Sequence, residues 1–469
     1  MDHTFRMIYV KFNRTHNIED IHADMKDQEV VIGGWIEDLR KMGKMTFLTL
    51  RDSTGITQII LTDEVAKSID GVTRQSVVKV NGKIQDTKAR DFECEVKASE
   101  INLLAKAVYP LPIDPLGRLE SHIDNRLNTR ALDMRNQKTA SIFKIRHHVL
   151  ASLRETLSKK KFIEITTPKI IGSASEGGAN LFSLDYFGKQ AYLAQSPQLY
   201  KEQMTIGLER VFEIASFYRA EKSHTGRHLS EFTSVDIEAA FMDYTDVMTV
   251  LEDLVLNTFK YVSVNCKKEQ EIIGNKITVP NEPFKKITYS DALDELNRKD
   301  AKLEFGDDLL DSHLRILEEN HPEFYFLTDW PIKLKPFYIS EKEDNSEISE
   351  SFDLQFGYLE LSSGGTRLHN TEKIKIRLAE QDLDPTKFSE HLQAFDWGMP
   401  PHAGWGLGLE RLLMVILGID YVREVVLYPR DPERLKPLDN LFSKFHCGFI
   451  STDIFCFNVV FYYIVHNTL

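Results

Sequence analysis

Two arginines about 190 residues apart constrain this 469-residue chain more than any other feature. Arg219 stands in Phe217-Tyr-Arg219-Ala-Glu221, and a polar stretch follows through Arg227-His228 to Glu231-Phe232. Alternating sequence flanks it, from Arg210 to Phe217 and from Phe232 to Phe241. That pattern predicts a strand, a polar loop and a returning strand. Arg411 closes Gly404-Trp-Gly406-Leu-Gly408-Leu-Glu410-Arg411 and opens an apolar, helix-like run to Leu417. The three glycines leave room for a ligand to approach the backbone. A guanidinium stays charged in any protein setting, and its planar fork suits phosphate oxygens and stacks on flat rings. A fold that brings the two segments together grips a nucleoside triphosphate from two sides.

Residues 28–104 read as a small all-β unit. Val30 to Ile32 run into Gly33-Gly34-Trp35, and Thr46 to Leu50 alternates with period two before a turn at Asp52–Gly55. Gln58–Leu61, Ser76–Val80 and Glu95–Leu104 supply three more strands. Five strands in so short a span suit an OB-fold barrel. Tyr109-Pro-Leu-Pro-Ile-Asp-Pro115 is a proline-punctuated linker. Lys138 to Lys161 predicts a long amphipathic helix, with Ile142, Ile145, Val149, Leu153 and Leu157 on one face, leading into a short strand before Pro168. Helices are expected at 243–261 and 289–298, and a mobile charged loop around Glu341–Glu350. The expected organisation is therefore 1–104 (barrel), 105–135 (linker), 136–437 (catalytic unit) and 438–469 (an atypical extension).

A net charge of −13 argues against a general nucleic-acid binder but allows a local basic surface such as Arg40, Lys41 and Lys44. The four cysteines show no Cys-x-x-Cys spacing, so neither zinc nor a disulfide framework is expected. Met1–Arg14 lacks an apolar run, and the longest uncharged part of the extension, Ile454–Val465, is too short to span a bilayer. The expectation is a cytoplasmic protein with no membrane partner.

The segments around Arg219 and Arg411 resemble motifs 2 and 3 of the class II aminoacyl-tRNA synthetases. The helix leading to Pro168 resembles their motif 1, which builds a homodimer interface. The resemblance spans residues 12–437 and is closest to the aspartyl-tRNA synthetases of subclass IIb, archaeal and eukaryotic type. It implies an α+β protein: an N-terminal OB-fold for the anticodon, then a mainly antiparallel catalytic sheet flanked by helices. It implies ATP as cosubstrate, with Arg219 on the α-phosphate and Arg411 facing the base while reaching the γ-phosphate, both catalytic. Phe232 would stack on adenine, Glu221 would take its amine, and Arg227, His228, Glu360 and Gly408 would complete the nucleotide set. Triphosphate calls for Mg²⁺ on oxygen donors, which Asp353, Glu360 and Ser363 would supply from adjacent strands.

The stretches Ser175-Glu176-Gly177-Gly178 and Gln195-Ser196-Pro197-Gln198-Leu-Tyr-Lys201 are similar to the aspartate pocket of that family. Lys201 and Arg367 would meet the substrate's side-chain carboxylate. Glu176, Gln198 and Asp236 would receive its α-ammonium, with hydrogen bonds from Ser196 and Ser363. Asparaginyl relatives carry an apolar residue in place of Lys201 and Ser-Ser in place of Ser196-Pro197. Leaving one partner of a buried charge pair alone costs roughly 3–5 kcal/mol, enough to separate the two amino acids. For the anticodon, the resemblance implies Arg40, Phe47, Gln58 and Glu100. Glu37 departs from the Trp or His of archaeal members, which leaves tRNA(Asn) open as a partner beside tRNA(Asp). The activity implied is aspartate–tRNA ligase, with an asparaginyl enzyme as the alternative.

Overall fold

The computed structural model describes residues 12–172, 181–221 and 226–436. Glu176 and the stretch 438–469 lie outside them. Two compact units part after Asp114, inside the span expected to be linker.

In the first unit, β1 (Glu29–Met42), β2 (Met45–Arg51), β3 (Ile56–Thr62), β4 (Val77–Asp86) and β5 (Cys94–Ala105) close a barrel in the order β1-β2-β3-β5-β4. A one-turn helix, α1 (Asp63–Ala66), follows β3, with the Thr62 side chain capping its first turn. Alternation sends Leu48, Leu50, Ile59, Leu61, Val78 and Val80 into the barrel core, all fully buried.

The second unit begins with two short helices, α2 (Ile123–Asn128) and α3 (Arg130–Asp133), at the end of the expected linker. They belong to this unit by contact: Arg130 donates to the carbonyls of Glu424, Val426 and Leu427, and Arg126 pairs with Glu424 at 2.8 Å. The predicted long helix is α4 (Gln137–Lys159), opened by the Asn136 side chain on Lys138 N–H. Its five predicted apolar residues are all buried, each stabilising the fold by roughly 1.5–3 kcal/mol.

After α4 come β6 (Ile163–Glu164) and a small sheet of β7 (Ile170–Ile171), β8 (Ser183–Tyr186) and β9 (Lys189–Leu193). Next are α5 (Gln198–Leu208), β10 (Arg210–Tyr218), β11 (Glu231–Ala240), α6 (Tyr244–Asn265) and α7 (Lys267–Ile273). The chain continues through β12 (Lys285–Thr288), α8 (Tyr289–Arg298), α9 (Asp311–Glu318), β13 (Phe324–Thr328), β14 (Ser351–Phe356) and β15 (Leu359–Thr366). It closes with α10 (Thr371–Glu380), α11 (Ser389–Phe395), β16 (His402–Gly408) and α12 (Leu409–Leu417), which Gly418 ends in the left-handed conformation, φ 63°.

Eight of these strands form one sheet in the order β12-β13-β14-β15-β16-β11-β10-β6, antiparallel except for the outermost pair at each edge. Strand alternation then separates two chemistries. Val235, Ile237, Ala239, Phe352, Leu354, Ala403, Trp405 and Leu407 join α4, α6 and α12 in one core. The residues between them, Ser234, Asp236, Glu238, Asp353, Gly404, Gly406 and Gly408, share the opposite face. The Glu341–Glu350 loop, expected to be mobile, is pinned instead. Glu341 bridges to Ser349, Ile339 to Arg367, and Lys342 pairs with Asp329 at 2.9 Å. Among the described residues, no helix is long and apolar enough to cross a membrane.

Candidate active site

The polar face of the sheet floors a cavity of about 470 Å³. Arg219, Glu221, Arg227, His228, Phe232, Ser196, Gln198, Lys201, Asp236, Glu360, Ser363, Arg367, Gly408 and Arg411 all line it. Segments as far apart in sequence as Ser196 and Arg411 thus converge, as the sequence predicts. Asp353 lies instead in an adjoining cavity of about 280 Å³, which shares Arg227, His228, Glu360, Ser363 and Arg411 with the first.

At the end nearest α12, the Arg219 guanidinium lies 5.4 Å from the Phe232 ring centre. Arg411 donates to the Glu360 carbonyl at 2.6 Å. Burial, then the neighbouring Arg411, holds His228 below its ordinary value, so at neutral pH it offers hydrogen bonds and no charge. Arg227 pairs with Asp311 and lies 4.8 Å from the Tyr358 ring centre.

At the other end, helical spacing places Gln198, Lys201, Glu202 and Thr205 on one buried face of α5. The Lys201 ammonium, 2 % exposed, stands 3.0 Å from Asp236 and 3.5 Å from Glu238, and donates to the Trp405 carbonyl at 3.3 Å. Arg367 grips the same Glu238 with Nε at 2.9 Å and Nη2 at 3.3 Å. Against the cost of full burial, the Glu238 carboxylate holds the Arg367 guanidinium above its ordinary value. Gly404 makes this possible: a Cβ there would stand 2.3 Å from Glu238 Oε2 and from the Ile237 carbonyl. Its glycine serves packing, whereas Gly406 and Gly408 line the cavity.

Behind this cluster Glu202 is fully buried. Its Oε1 accepts from Gln198 Nε2 at 2.6 Å, and its Oε2 faces His402 Nε2 at 3.4 Å and His391 Nε2 at 3.6 Å. Burial alone would raise Glu202, but the His402 hydrogen bond and the charges of His391, His402 and Arg367 bring it down to about 2. A carboxylate only accepts, so it fixes the Gln198 amide with its NH₂ turned inward. The Gln198 carbonyl oxygen is left as the acceptor, as a role in receiving an ammonium requires.

Asp353 faces Ser363 across the β14–β15 ladder, and Glu360 faces Gln355. The Asp353 carboxylate accepts from Lys335 Nζ at 2.9 and 3.1 Å. The crowded cleft, then the Asp353 charge, raises Glu360 from its ordinary value, although its side chain still meets solvent. Two carboxylates repelling each other next to serine oxygen suit a hard divalent cation, which needs only one or two protein carboxylates when phosphate supplies the rest. Among the described residues no cluster of three His, Cys, Asp or Glu offers a self-sufficient cage.

Sequence reasoning missed Glu238, Lys335, Glu202 and Glu410. Glu238 follows Asp236 by two on the same strand, so period-two alternation was a usable signal. The other three have partners distant in sequence and carry no local signature.

In the barrel, Arg40 pairs with Phe47 across β1–β2, and Gln58 stands opposite Thr49 across β2–β3. All three share the outer face, since Leu48 and Ile59 between them point inward. Phe47 is therefore a half-exposed platform rather than core. Glu100 stands elsewhere: it pairs with Asn81 of β4 and accepts from Asn81 and Asn102. The residue beside Gln58 is Glu95, five positions earlier and so roughly 16 Å away along an extended strand. Its buried carboxylate accepts from Gln58 at 2.6 Å, Gln85 at 2.9 Å and Thr87 at 3.0 Å. Base stacking on such a ring contributes about 1–3 kcal/mol. Under the anticodon role that the resemblance implies, Phe47→Ala is expected to weaken tRNA binding about 5- to 150-fold, with amino-acid activation unchanged, as filter binding and pyrophosphate exchange would read.

A family model for class II tRNA synthetases (D, K and N) matches residues 122–432, and one for OB-fold nucleic-acid-binding domains matches residues 30–104. The aspartate–tRNA(Asp/Asn) ligase of Sulfurisphaera tokodaii is 45% identical over 90% of this chain and 100% of its own. That of Methanocaldococcus jannaschii is 42% identical over 91% and 99%. Among solved structures, asparaginyl-tRNA synthetase from Pyrococcus horikoshii complexed with asparaginyl-adenylate superposes with TM-score 0.84 at 34% identity, covering 91% of this chain and 100% of that one.

Proposed function

The chain belongs to the class II tRNA synthetases of the D, K and N group, and from that membership we propose that it is an aspartate–tRNA ligase. The observation that carries the amino-acid choice is a charge balance. Lys201 and Arg367 are set against Glu238 and Asp236; with Asp236 given to the substrate's α-ammonium, the two cations exceed Glu238 by one positive charge, equal and opposite to an aspartate side chain. Asp236 and the Gln198 oxygen remain for the α-ammonium. Asparagine would leave that positive charge uncompensated.

In the first step the aspartate α-carboxylate attacks the α-phosphorus of ATP and pyrophosphate leaves. In the second, the terminal ribose hydroxyl of the tRNA attacks the acyl carbon and AMP leaves. Neither step needs a protein nucleophile. Arg219 and Arg411 supply fixed positive charge as negative charge grows on the phosphate, and Phe232 offers adenine a stacking face. Asp353, Glu360 and Ser363 would hold Mg²⁺, which when bound neutralises the leaving pyrophosphate. tRNA(Asp) is the partner, read on the outer face of the barrel, and tRNA(Asn) is a second one if Glu37 does not discriminate. Exposed Ile163 on the edge strand β6, with exposed Ile170, Met204, Leu208 and Phe241, supports a homodimer, acting in the cytoplasm.

Pyrophosphate exchange with each amino acid tests the reading. Aspartate is expected to drive exchange, with asparagine at least about 100-fold weaker in kcat/KM. Exchange driven by asparagine alone would replace the assignment with an asparaginyl enzyme.

A further inference from the structure

Three elements that carry the nucleotide end of the cavity meet at one ion pair, Arg146 with Glu410, to which no role has been given above. Arg146, on the middle of α4, donates from Nη1 to Glu410 Oε1 at 3.0 Å and from Nη2 to Thr233 Oγ1 at 3.0 Å. The other Glu410 oxygen accepts from Thr233 N–H at 2.9 Å, closing a ring of three residues. Arg146 Nη1 also reaches the Val425 carbonyl at 3.5 Å. Thr233 is the residue after Phe232, and Glu410 is the residue before Arg411. The ring therefore couples directly to the backbone carrying each wall of the proposed adenine slot. Glu410 is 4 % exposed, beside the fully buried Leu409, Leu412 and Leu413, so its carboxylate answers to Arg146 and Thr233 rather than to water.

We infer that Arg146 is a positioning residue for ATP: through Glu410 and Thr233 it sets the separation of Phe232 and Arg411. The guanidinium suits this task because its planar fork fills two directions at fixed angle, which a lysine ammonium cannot reproduce. Errors in such spacing fall first on nucleotide binding, since the aspartate end rests on α5, Arg367 and the part of β11 at Asp236 and Glu238, three and five residues beyond Thr233, and none of those side chains bonds to the ring. The inference rests on reading the cavity as the ATP site.

The test compares wild type, Arg146→Lys, Glu410→Gln and the double variant in pyrophosphate exchange, with ATP binding alone measured by equilibrium dialysis. Each single variant is expected to raise the ATP KM about ten-fold while the aspartate KM and the melting temperature hold. The double variant is expected to be no worse than the poorer single, because both break one coupled unit. Should Arg146→Lys fold poorly, Thr233→Val removes only the hydroxyl acceptor, and a rise in ATP KM of about three-fold is expected. An unchanged ATP affinity, or equal losses for ATP and aspartate with a lowered melting temperature, would overturn the inference. ATP binding by dialysis needs no amino acid, so it separates a failed positioning role from a failed aspartate assignment.

Discussion

Lys201→Leu is expected to lower kcat/KM for aspartate by about two to three and a half orders of magnitude, the equivalent of roughly 3–5 kcal/mol. The ammonium stands between Asp236 and Glu238 with almost no solvent contact. Removing it leaves Arg367 alone against Asp236 and Glu238, so the incoming carboxylate meets Glu238 with only Arg367 to balance both. The ATP KM should hold, because Phe232, Arg219 and Arg411 stand at the far end of the cavity. A stability loss accompanies the substitution, since two carboxylates lose a buried partner, and urea unfolding measures it separately. Lys201→Arg is the control: charge is kept, but the larger fork does not fit the space between Asp236 and the Trp405 carbonyl, so activity returns only in part. Unchanged aspartate activation in a folded Lys201→Leu enzyme would show that the side-chain carboxylate binds elsewhere.

The strands were legible because their alternation is strong and their faces differ in chemistry. Alternation along β11 puts Phe232, Ser234 and Asp236 on one face, where all three line the cavity, and the same rule, had it been applied, reaches Glu238. Helix α4 was legible for a similar reason, its apolar stripe from Ile142 to Leu157 recurring at helical spacing over more than four turns. What stayed hidden depends on long-range pairing. Lys335 follows a single 3-10 turn and acquires meaning only from Asp353, 18 residues on. Glu202 gains its hydrogen bonds from Gln198 one turn away and from His402, 200 residues away. The charged loop at 341–350 illustrates the converse error. Charge density signals solvent, but it does not reveal that Asp329, Lys373 and the Thr366 backbone supply partners. In the barrel, the resemblance implied Glu100, whereas the parallel β3–β5 register sets Glu95 opposite Gln58.

Arg411→Ala is expected to reduce the rate of adenylate formation by about 10²–10³-fold, the range for losing one preorganised group that meets developing charge. The side chain is well placed for a clean experiment. Its guanidinium makes one hydrogen bond to a backbone carbonyl, that of Glu360, at 2.6 Å, while the neighbouring Glu410, Leu412 and Leu413 supply the packing of α12. The melting temperature should therefore stay within a few degrees, and the loss should appear in single-turnover chemistry. Arg411→Lys divides the effect into its parts. An ammonium keeps the charge that meets the γ-phosphate but has no plane to lie against a base. If charge dominates, lysine restores most of the rate; if stacking dominates, the ATP KM stays high while the maximal rate recovers. The Arg219–Phe232 contact at 5.4 Å shows that a guanidinium can already sit on the opposite wall, so a slot with an aromatic floor and a guanidinium roof requires the plane as well as the charge. The lysine variant is accordingly expected to recover rate at saturating ATP and to remain impaired at low ATP. Equal rates for alanine, lysine and arginine would place the nucleotide away from α12.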